Sequence, residues 1–307
     1  MPNATCSYCS GDAVYTREYE GVSFCFKCFR HALEERVRRT ITSHQMLEYD
    51  DHIVVAVSGG KDSLTLLSLL VKLEQRFPRS KITAVSVDEG IDGYRDEALN
   101  LGRKTCENLG VNQVVVSYRE LFGVTTDEIA KMQLGQTPCA YCGVFRRKAI
   151  NKAAVMVGAT KIATAHNLDD EVQTVLLNML HGDPTRIVRS GPVLRDPRGR
   201  FLTRIKPLCD IPEKEIVLYA YLTGIEFQSV ACPHGHEALR NDIRSFLNQM
   251  EQKHPGSKFT LQRTAERLRG LLAEAAPVSD LHECEKCGDP TTHHLCEACI
   301  MLEAIVA

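Results

Sequence analysis

Ten of the thirteen cysteines in this 307-residue chain fall into five Cys-x-x-Cys pairs, and no other feature limits the fold so tightly. The pairs are Cys6/Cys9, Cys25/Cys28, Cys139/Cys142, Cys284/Cys287 and Cys296/Cys299, with Cys106, Cys209 and Cys232 left over. A pair spaced this way turns two thiolates toward one metal, and an odd total fits poorly with complete disulfide pairing. The chain begins Met1-Pro2-Asn3-Ala4, without the basic-then-apolar layout of a secretory leader. Its longest apolar runs stay well short of the ~18 residues that would read as a membrane span. A cytoplasmic protein with reduced, metal-binding thiols is the expectation, with no membrane partner.

Each end of the chain offers four thiolates. Fifteen residues separate Cys6-Ser-Tyr-Cys9 from Cys25-Phe-Lys-Cys28, and eight separate Cys284-Glu-Lys-Cys287 from Cys296-Glu-Ala-Cys299. Zn²⁺ takes four soft ligands in a tetrahedron, which two such knuckles and a short hairpin supply. Gly11 and Gly288 provide the turns, and His293 and His294 lie close enough to compete as ligands. Two structural Zn²⁺ sites are expected; redox dithiols are the alternative. A closed four-thiolate site has no open coordination position, so it holds structure and does not catalyse.

Between the ends, apolar strands alternate with helices. Strands are read at 52–58, 81–88, 111–118 and 160–166, and helices at 62–75, 94–109, 143–157 and 167–180. Short joints between them predict an α/β fold with a doubly wound parallel sheet. The stretch 183–206 is rich in proline and carries seven Arg/Lys against two Asp, and helices follow at 212–224, 237–250 and 259–275. A quarter of the residues are charged, 44% are hydrophobic and the net charge is −2, as in an ordinary globular protein. Any case for nucleic-acid binding must therefore come from local patches. Three are candidates: Arg36-Val37-Arg38-Arg39, Arg146-Arg147-Lys148 and the 183–206 stretch.

The most specific string is Ser58-Gly59-Gly60-Lys61-Asp62-Ser63, at the junction of the first strand and first helix. Two glycines let the backbone turn tightly against an anion, and the helix start aims unpaired N–H groups at it. Ser58, Ser63 and Lys61 add donors and charge. Four residues between Gly and Gly-Lys-Ser, the Walker spacing, are absent, so this is not a P-loop. Val85-Ser86-Val87-Asp88 ends the second strand, and Ala165-His166-Asn167-Leu168-Asp169-Asp170-Glu171 ends the fourth. Carboxylates beside a triphosphate can hold Mg²⁺, and at a helix start they also cap it.

Taken in order, these segments resemble the tRNA 2-thiouridine synthetases of the TtuA/NcsA type, PP-loop N-type ATP pyrophosphatases within the TtcA/TtuA superfamily. The likeness covers the terminal knuckles, residues 58–63, Pro138-Cys139-Ala140-Tyr141-Cys142-Gly143, residues 166–171 and Cys232-Pro233. It implies that ATP binds through Val57, Ser58, Gly59, Gly60, Lys61, Ser63, Val87, Asp88, Ala165 and His166, with backbone groups near Val87 meeting adenine and Asp88 the ribose. Asp62, Asp170 and Arg146 are the implied catalytic residues; Arg146 stands where some members carry lysine, and an arginine stabilises charge more readily than it moves a proton. Cys139, Cys142 and Cys232 are the implied ligands of a 4Fe-4S cluster with one iron lacking a protein ligand, whereas Cys106 and Cys209 have no such context. The activity implied is ATP-dependent adenylation of O2 of a tRNA uridine and its replacement by sulfur. A ubiquitin-like thiocarboxylate protein or inorganic sulfide donates the sulfur, and a homodimer is implied by resemblance alone.

The organisation expected is an N-terminal zinc module (1–32), a PP-loop catalytic domain (33–225), a helical segment that binds tRNA and completes the cluster (226–279), and a C-terminal zinc module (280–307). Wobble position and T-loop both remain open as targets. The rival readings are a 2-thiocytidine synthetase or another PP-loop enzyme that adenylates tRNA, and, from another class, a zinc-ribbon RNA-binding protein with a degenerate nucleotide fold.

Overall fold

From its N-terminus the chain makes a small hairpin, β1 (Tyr15–Arg17) and β2 (Val22–Phe24), and then enters α1 (Phe26–Ser43). The computed structural model describes residues 5–306 apart from 76, 133, 183, 189, 197, 198, 200, 236, 237 and 276–281. Phe29, Leu33 and Val37, spaced four apart, form the buried stripe of α1. This helix crosses the expected join between residues 32 and 33, and its stripe is part of the main core.

The central region alternates as anticipated: β3 (His52–Ala56), α2 (Lys61–Glu74), β4 (Lys81–Asp88), α3 (Arg95–Leu109), β5 (Asn112–Ser117), two short helices α4 (Tyr118–Phe122) and α5 (Thr126–Lys131), then α6 (Pro138–Met156), β6 (Lys161–Ala163) and α7 (Leu168–Leu180). After a short α8 (Pro184–Val188) come β7 (Val193–Leu194) and β8 (Thr203–Ile205), and then α9 (Glu213–Thr223), α10 (Ala238–Lys253) and α11 (Ser257–Ala275). The C-terminal end closes with β9 (His282–Glu283), β10 (Pro290–Thr291) and α12 (Glu297–Val306).

Six strands form one sheet in the order β5-β4-β3-β6-β8-β7, parallel except for the edge strand β7. The stretch 183–206 thus extends the sheet; strands of two and three residues are too short to show a period in sequence. Of that stretch, Asp183, Arg189, Pro197, Arg198 and Arg200 lie outside the described residues, as does Glu237 at the expected start of α10.

The chain winds outward from β3 to β5, then returns to β6 on the other side of β3. Ligands of such sheets bind at this switch point, outside the carboxyl ends of the strands. One core layer packs α1, α2 and α9 side chains such as Phe29, Leu67 and Ile216 with β3 residues. A second joins Tyr118, Phe145 and Ala149 to Met301 of α12. Leu168 and Val172 of α7 meet Ile243 and Leu247 of α10 in a third.

The helix read at 143–157 begins five residues earlier. Thr137 caps it by accepting from the N–H of Ala140, and Pro138 occupies its first turn. This Thr-Pro start is a favoured one. Its consequence is that Cys139, Cys142 and Arg146, spaced three and four apart, share one face of α6.

Candidate functional site

Where β3 ends, Val57 keeps a last ladder bond to the Val85 carbonyl (2.8 Å), and the chain then turns through Gly59 with φ +85°. A Cβ on Gly59 would stand 2.3 Å from the Ala98 carbonyl oxygen in α3, so only glycine fits. Gly60 occupies the cap position of α2. The Ser63 hydroxyl accepts from the Ser58 N–H (3.1 Å) and donates to the Gly60 carbonyl (3.0 Å), closing the loop on itself. Buried Arg95 fixes its base by donating to the carbonyls of Ser58 (2.7 Å) and Val87 (2.7 Å). The result is a rigid anion cradle at the N-terminus of a four-turn helix.

Around this cradle stand Lys61 and three acids, with Arg244 reaching the outer side of Glu213 (3.7 Å). Lys61 Nζ lies 2.9 Å from Asp62 Oδ2 and 2.8 Å from Glu213 Oε1. Burial works against its charge, but these two carboxylates prevail and hold its pKa above the ordinary lysine value. Asn167 caps α7 in a reciprocal box with Asp170 and also donates to Asp62 Oδ1 (3.2 Å). Burial, reinforced by the charges of Asp62 and Glu213, raises Asp170 to about 6. Asp169 is turned away: it pairs with Lys258 and accepts from the Glu213 N–H. Asp88 ends β4 and accepts from the Gly90 N–H (2.9 Å). His166 follows β6 with its ring against the Thr164 hydroxyl (2.9 Å); desolvation, with the charges of Lys206, Arg240, Arg204 and Arg147, lowers its pKa to about 4.

Cys139, Cys142 and Cys232 line a single cavity of about 360 Å³ together with Arg146 and His234. What brings Cys232 there is a folded-back segment. The Gln228 N–H donates to the Gly59 carbonyl (3.1 Å), and its side chain donates to the Tyr94 carbonyl (2.6 Å). Further on, the Cys139 thiol donates to the His234 carbonyl (2.9 Å), and the His234 ring meets Asp127 of α5 (2.7 Å). Three thiols on one cavity, one short of a closed tetrad, are a donor set that fits a cubane, in which each thiolate takes a different iron.

Buried Glu89 joins the cavity to the cradle. One oxygen pairs with Arg95 (2.7 Å), which holds Ser58; the other accepts from Arg146 Nε (2.8 Å), whose Nη2 lies 3.1 Å from Cys142 Sγ. Arg146 therefore sits at the three-cysteine cavity, as a fixed charge beside a thiol. Of the sequence-predicted basic runs, Lys148 is turned inward to Asp289, and its Nζ stands 3.0 Å from Cys287 Sγ. Arg36 and Arg38 pair with Glu20 and Glu35, whereas Arg147, Arg204 and Lys206 converge around His166.

At the two ends, Cys6, Cys9, Cys25 and Cys28, and likewise Cys284, Cys287, Cys296 and Cys299, gather with their sulfurs all within 4.8 Å. Cys9–Cys25 at 3.4 Å and Cys287–Cys296 at 3.6 Å lie close to the edge of about 3.8 Å that a zinc–thiolate tetrahedron requires. Burial would raise Cys6 and Cys284, yet backbone N–H groups of the knuckles outweigh it and bring both to about 6. His294 pairs with Glu285, so the thiols gather without a histidine. Cys106 and Cys209 are buried core residues.

Sequence reasoning missed Glu213, Glu89, Arg95, Gln228, His234 and Asp127. Glu89 and Arg95 flank the second strand–helix joint, where a binding loop was expected; the others act across long separations and carry no local signal.

A PP-loop domain model matches residues 30–251. The chain is 37% identical to the tRNA 2-thiolation protein NcsA of Haloferax volcanii, over 98% of this chain and 99% of that one. It is 38% identical to cytoplasmic tRNA 2-thiolation protein 1 of Mus musculus, over 99% of this chain and 73% of the mouse protein. Among solved structures it matches the U34-tRNA thiolase NcsA of Methanococcus maripaludis, described with its 4Fe-4S cluster, with a TM-score of 0.86 and 32% identity over 98% of this chain and 96% of that one.

Proposed function

Since this chain belongs to the PP-loop family of tRNA 2-thiolation proteins, we propose that it is an ATP-dependent tRNA sulfurtransferase that makes 2-thiouridine, with U34 as its target. That the archaeal relative is a U34-tRNA thiolase supports the wobble position over the T-loop. Names of the eukaryotic relatives support a cytoplasmic setting, and among the described residues no helix is long and apolar enough to cross a membrane.

The observation that carries this reading is the run Ser58–Arg95–Glu89–Arg146–Cys142, hydrogen-bonded except for the Arg95–Glu89 charge contact, which sets an anion cradle and a three-cysteine cavity side by side. A simple RNA-binding module needs neither. In the first step, O2 of the uridine attacks the α-phosphorus of ATP, and pyrophosphate leaves into the backbone N–H groups of residues 58–63. Lys61 neutralises charge on the leaving group, and Asp62, Asp170 and Glu213 are suited to hold the accompanying Mg²⁺. Sulfur then adds at C2 and AMP departs with the original oxygen. Cys139, Cys142 and Cys232 would hold a 4Fe-4S cluster, which would supply an iron site able to carry sulfide to the activated base. Arg146 orients and screens Cys142 there. Arg147 and Arg204, whose charges reach His166, would take tRNA phosphates, which makes affinity fall with salt, whereas Lys206 is held by buried Glu171 (2.6 Å). The terminal tetrads hold one Zn²⁺ each, as structural sites.

Mass spectrometry of tRNA nucleosides from cells lacking the protein tests this reading. Loss of 2-thiouridine from the wobble position is the expected result; loss of 2-thiocytidine, or no change, overturns it. Purified protein supplied with sulfide alone, or with a thiocarboxylated ubiquitin-like protein, identifies the donor.

A further inference from the structure

The N-terminal knuckle reaches the pyrophosphate cradle through a single turn of α9. Glu215 in that turn is fully buried, and its carboxylate accepts Arg17 Nε (3.0 and 3.2 Å) and Nη2 (2.7 Å). The hydroxyls of Tyr15 (3.3 Å) and Tyr19 donate to the same oxygen. Arg17 closes β1 of the hairpin that lies between Cys9 and Cys25; it is itself buried, with its guanidinium 4.8 Å from the centre of the Phe24 ring. Such a forked, charge-assisted pair fixes direction as well as distance. A pair of apolar side chains would be about as stable, so what the ions add is one register for α9.

Two residues before Glu215, Glu213 faces the other way. Its Oε1 holds Lys61 Nζ at 2.8 Å, while its N–H is held by Asp169 at 2.8 Å. Residues two apart on a helix point about 200° from each other. The first turn of α9 thus grips the knuckle hairpin with one carboxylate and the cradle lysine with the other.

We propose that Glu215 and Arg17 are positioning residues for the cradle: the folded N-terminal knuckle sets α9 so that Glu213 holds Lys61 in place to receive pyrophosphate. The proposal rests on the reading of residues 58–63 as that cradle. The N-terminal tetrad is then more than a local staple, because its loss reaches the phosphate site.

Titration calorimetry with inorganic pyrophosphate and Mg²⁺ on the full-length, metal-loaded protein tests it, using Lys61→Ala, Arg17→Met, Glu213→Gln and the double variant R17M/E213Q. Arg17→Met should bind pyrophosphate about tenfold more weakly while retaining wild-type circular dichroism and zinc content. In the Glu213→Gln background the same change should add nothing, since Arg17 acts through Glu213. Independent multiplication of the two losses, or unaltered affinity in a folded Arg17→Met protein, overturns the proposal. Wild-type affinity in Lys61→Ala instead overturns the cradle reading, and the two failures are distinct. If Arg17→Met does not fold, the apolar exchange R17M/E215M leaves no unpaired buried charge and replaces it in the same cycle.

Discussion

The cysteines at the ends of the chain and those at its centre are arranged for different cargo. Each terminal tetrad closes over one hairpin, with every sulfur within 4.8 Å of the others. The central set is three thiols on one cavity of about 360 Å³, and 89 residues separate Cys142 from Cys232. Four thiolates leave a metal no vacant position; three thiolates around a cavity leave room for several metal atoms and one open site. The contrast also lies in what builds them. Local turns make the first kind, whereas the second depends on Gln228, His234 and Asp127 clamping a returning segment.

The largest expected effect comes from the central set. Replacing Cys139, Cys142 or Cys232 with serine should lower thiolation by more than about 10³-fold, as when one member of a catalytic unit is lost. Iron and sulfide assayed anaerobically should vanish while two zincs per chain remain. A Cys232→Ser protein with full iron content would erase the distinction. Next come the ends. Cys284→Ser should lower the unfolding midpoint by about 5–10 °C, because structural metal binding contributes folding free energy. Its pyrophosphate affinity should survive, whereas Cys6→Ser should weaken both; calorimetry on the two variants separates the ends from each other.

A smaller effect is set by pH. Asp170 has a pKa of about 6 in the fold, above its ordinary 3.8, so its carboxylate takes a proton as pH falls through 6. Mg²⁺-dependent pyrophosphate binding should therefore drop by up to about tenfold per pH unit below that point, and Asp170→Asn should abolish this limb of the profile. The stability contribution has the opposite sense. Between about 3.8 and 6 the folded state binds more protons at Asp170 than the unfolded chain, so stability from this group is present at low pH and lost as pH rises through 6. His166, lowered to about 4 from 6.5, contributes stability that is lost as pH falls through that interval, offsetting Asp170 over much of it. Denaturant titrations of Asp170→Asn across pH 4–6.5 should unmask the histidine. Least affected should be Cys106→Ala and Cys209→Ala, which trade a buried thiol for a methyl at a cost of about 1 kcal/mol with thiolation retained.

What could be read from sequence was whatever is encoded within a few residues. The Ser58–Ser63 string, the Cys-x-x-Cys spacings and the strand–helix alternation are all of that kind. Thr137-Pro138 was equally local, yet the helix was read from Gly143, and the shared face of Cys139, Cys142 and Arg146 went unseen. The stripe of Phe29, Leu33 and Val37 is another legible signal, obscured by reading the first knuckle as a unit of its own. Glu213 and Glu215 were not legible, because an acid near a helix start reads as a capping charge until its partner is known, and Glu89, just past β4, reads as an ordinary loop acid. Arg17 and Lys61 lie far from those partners in sequence. The basic runs were legible as charge but not as orientation: charge density does not reveal which side chains turn inward, as Lys148 does.

The fold-back of residue 228 onto Gly59 also gives the molecule a timetable. Chains are made from the N-terminus at about 5–20 residues per second and fold as they emerge. The first tetrad is complete once Cys28 is exposed, but the central set must wait for Cys232, roughly 10–40 s later at those rates. The last tetrad follows with Cys299. If the tetrads take zinc and the central set takes the cluster, metal acquisition is staggered along synthesis, zinc before iron and then zinc again, and ribosome-stalled chains ending between Cys28 and Cys232 should hold one zinc and no iron. Iron in such truncated chains would show that the cluster site does not need its returning segment.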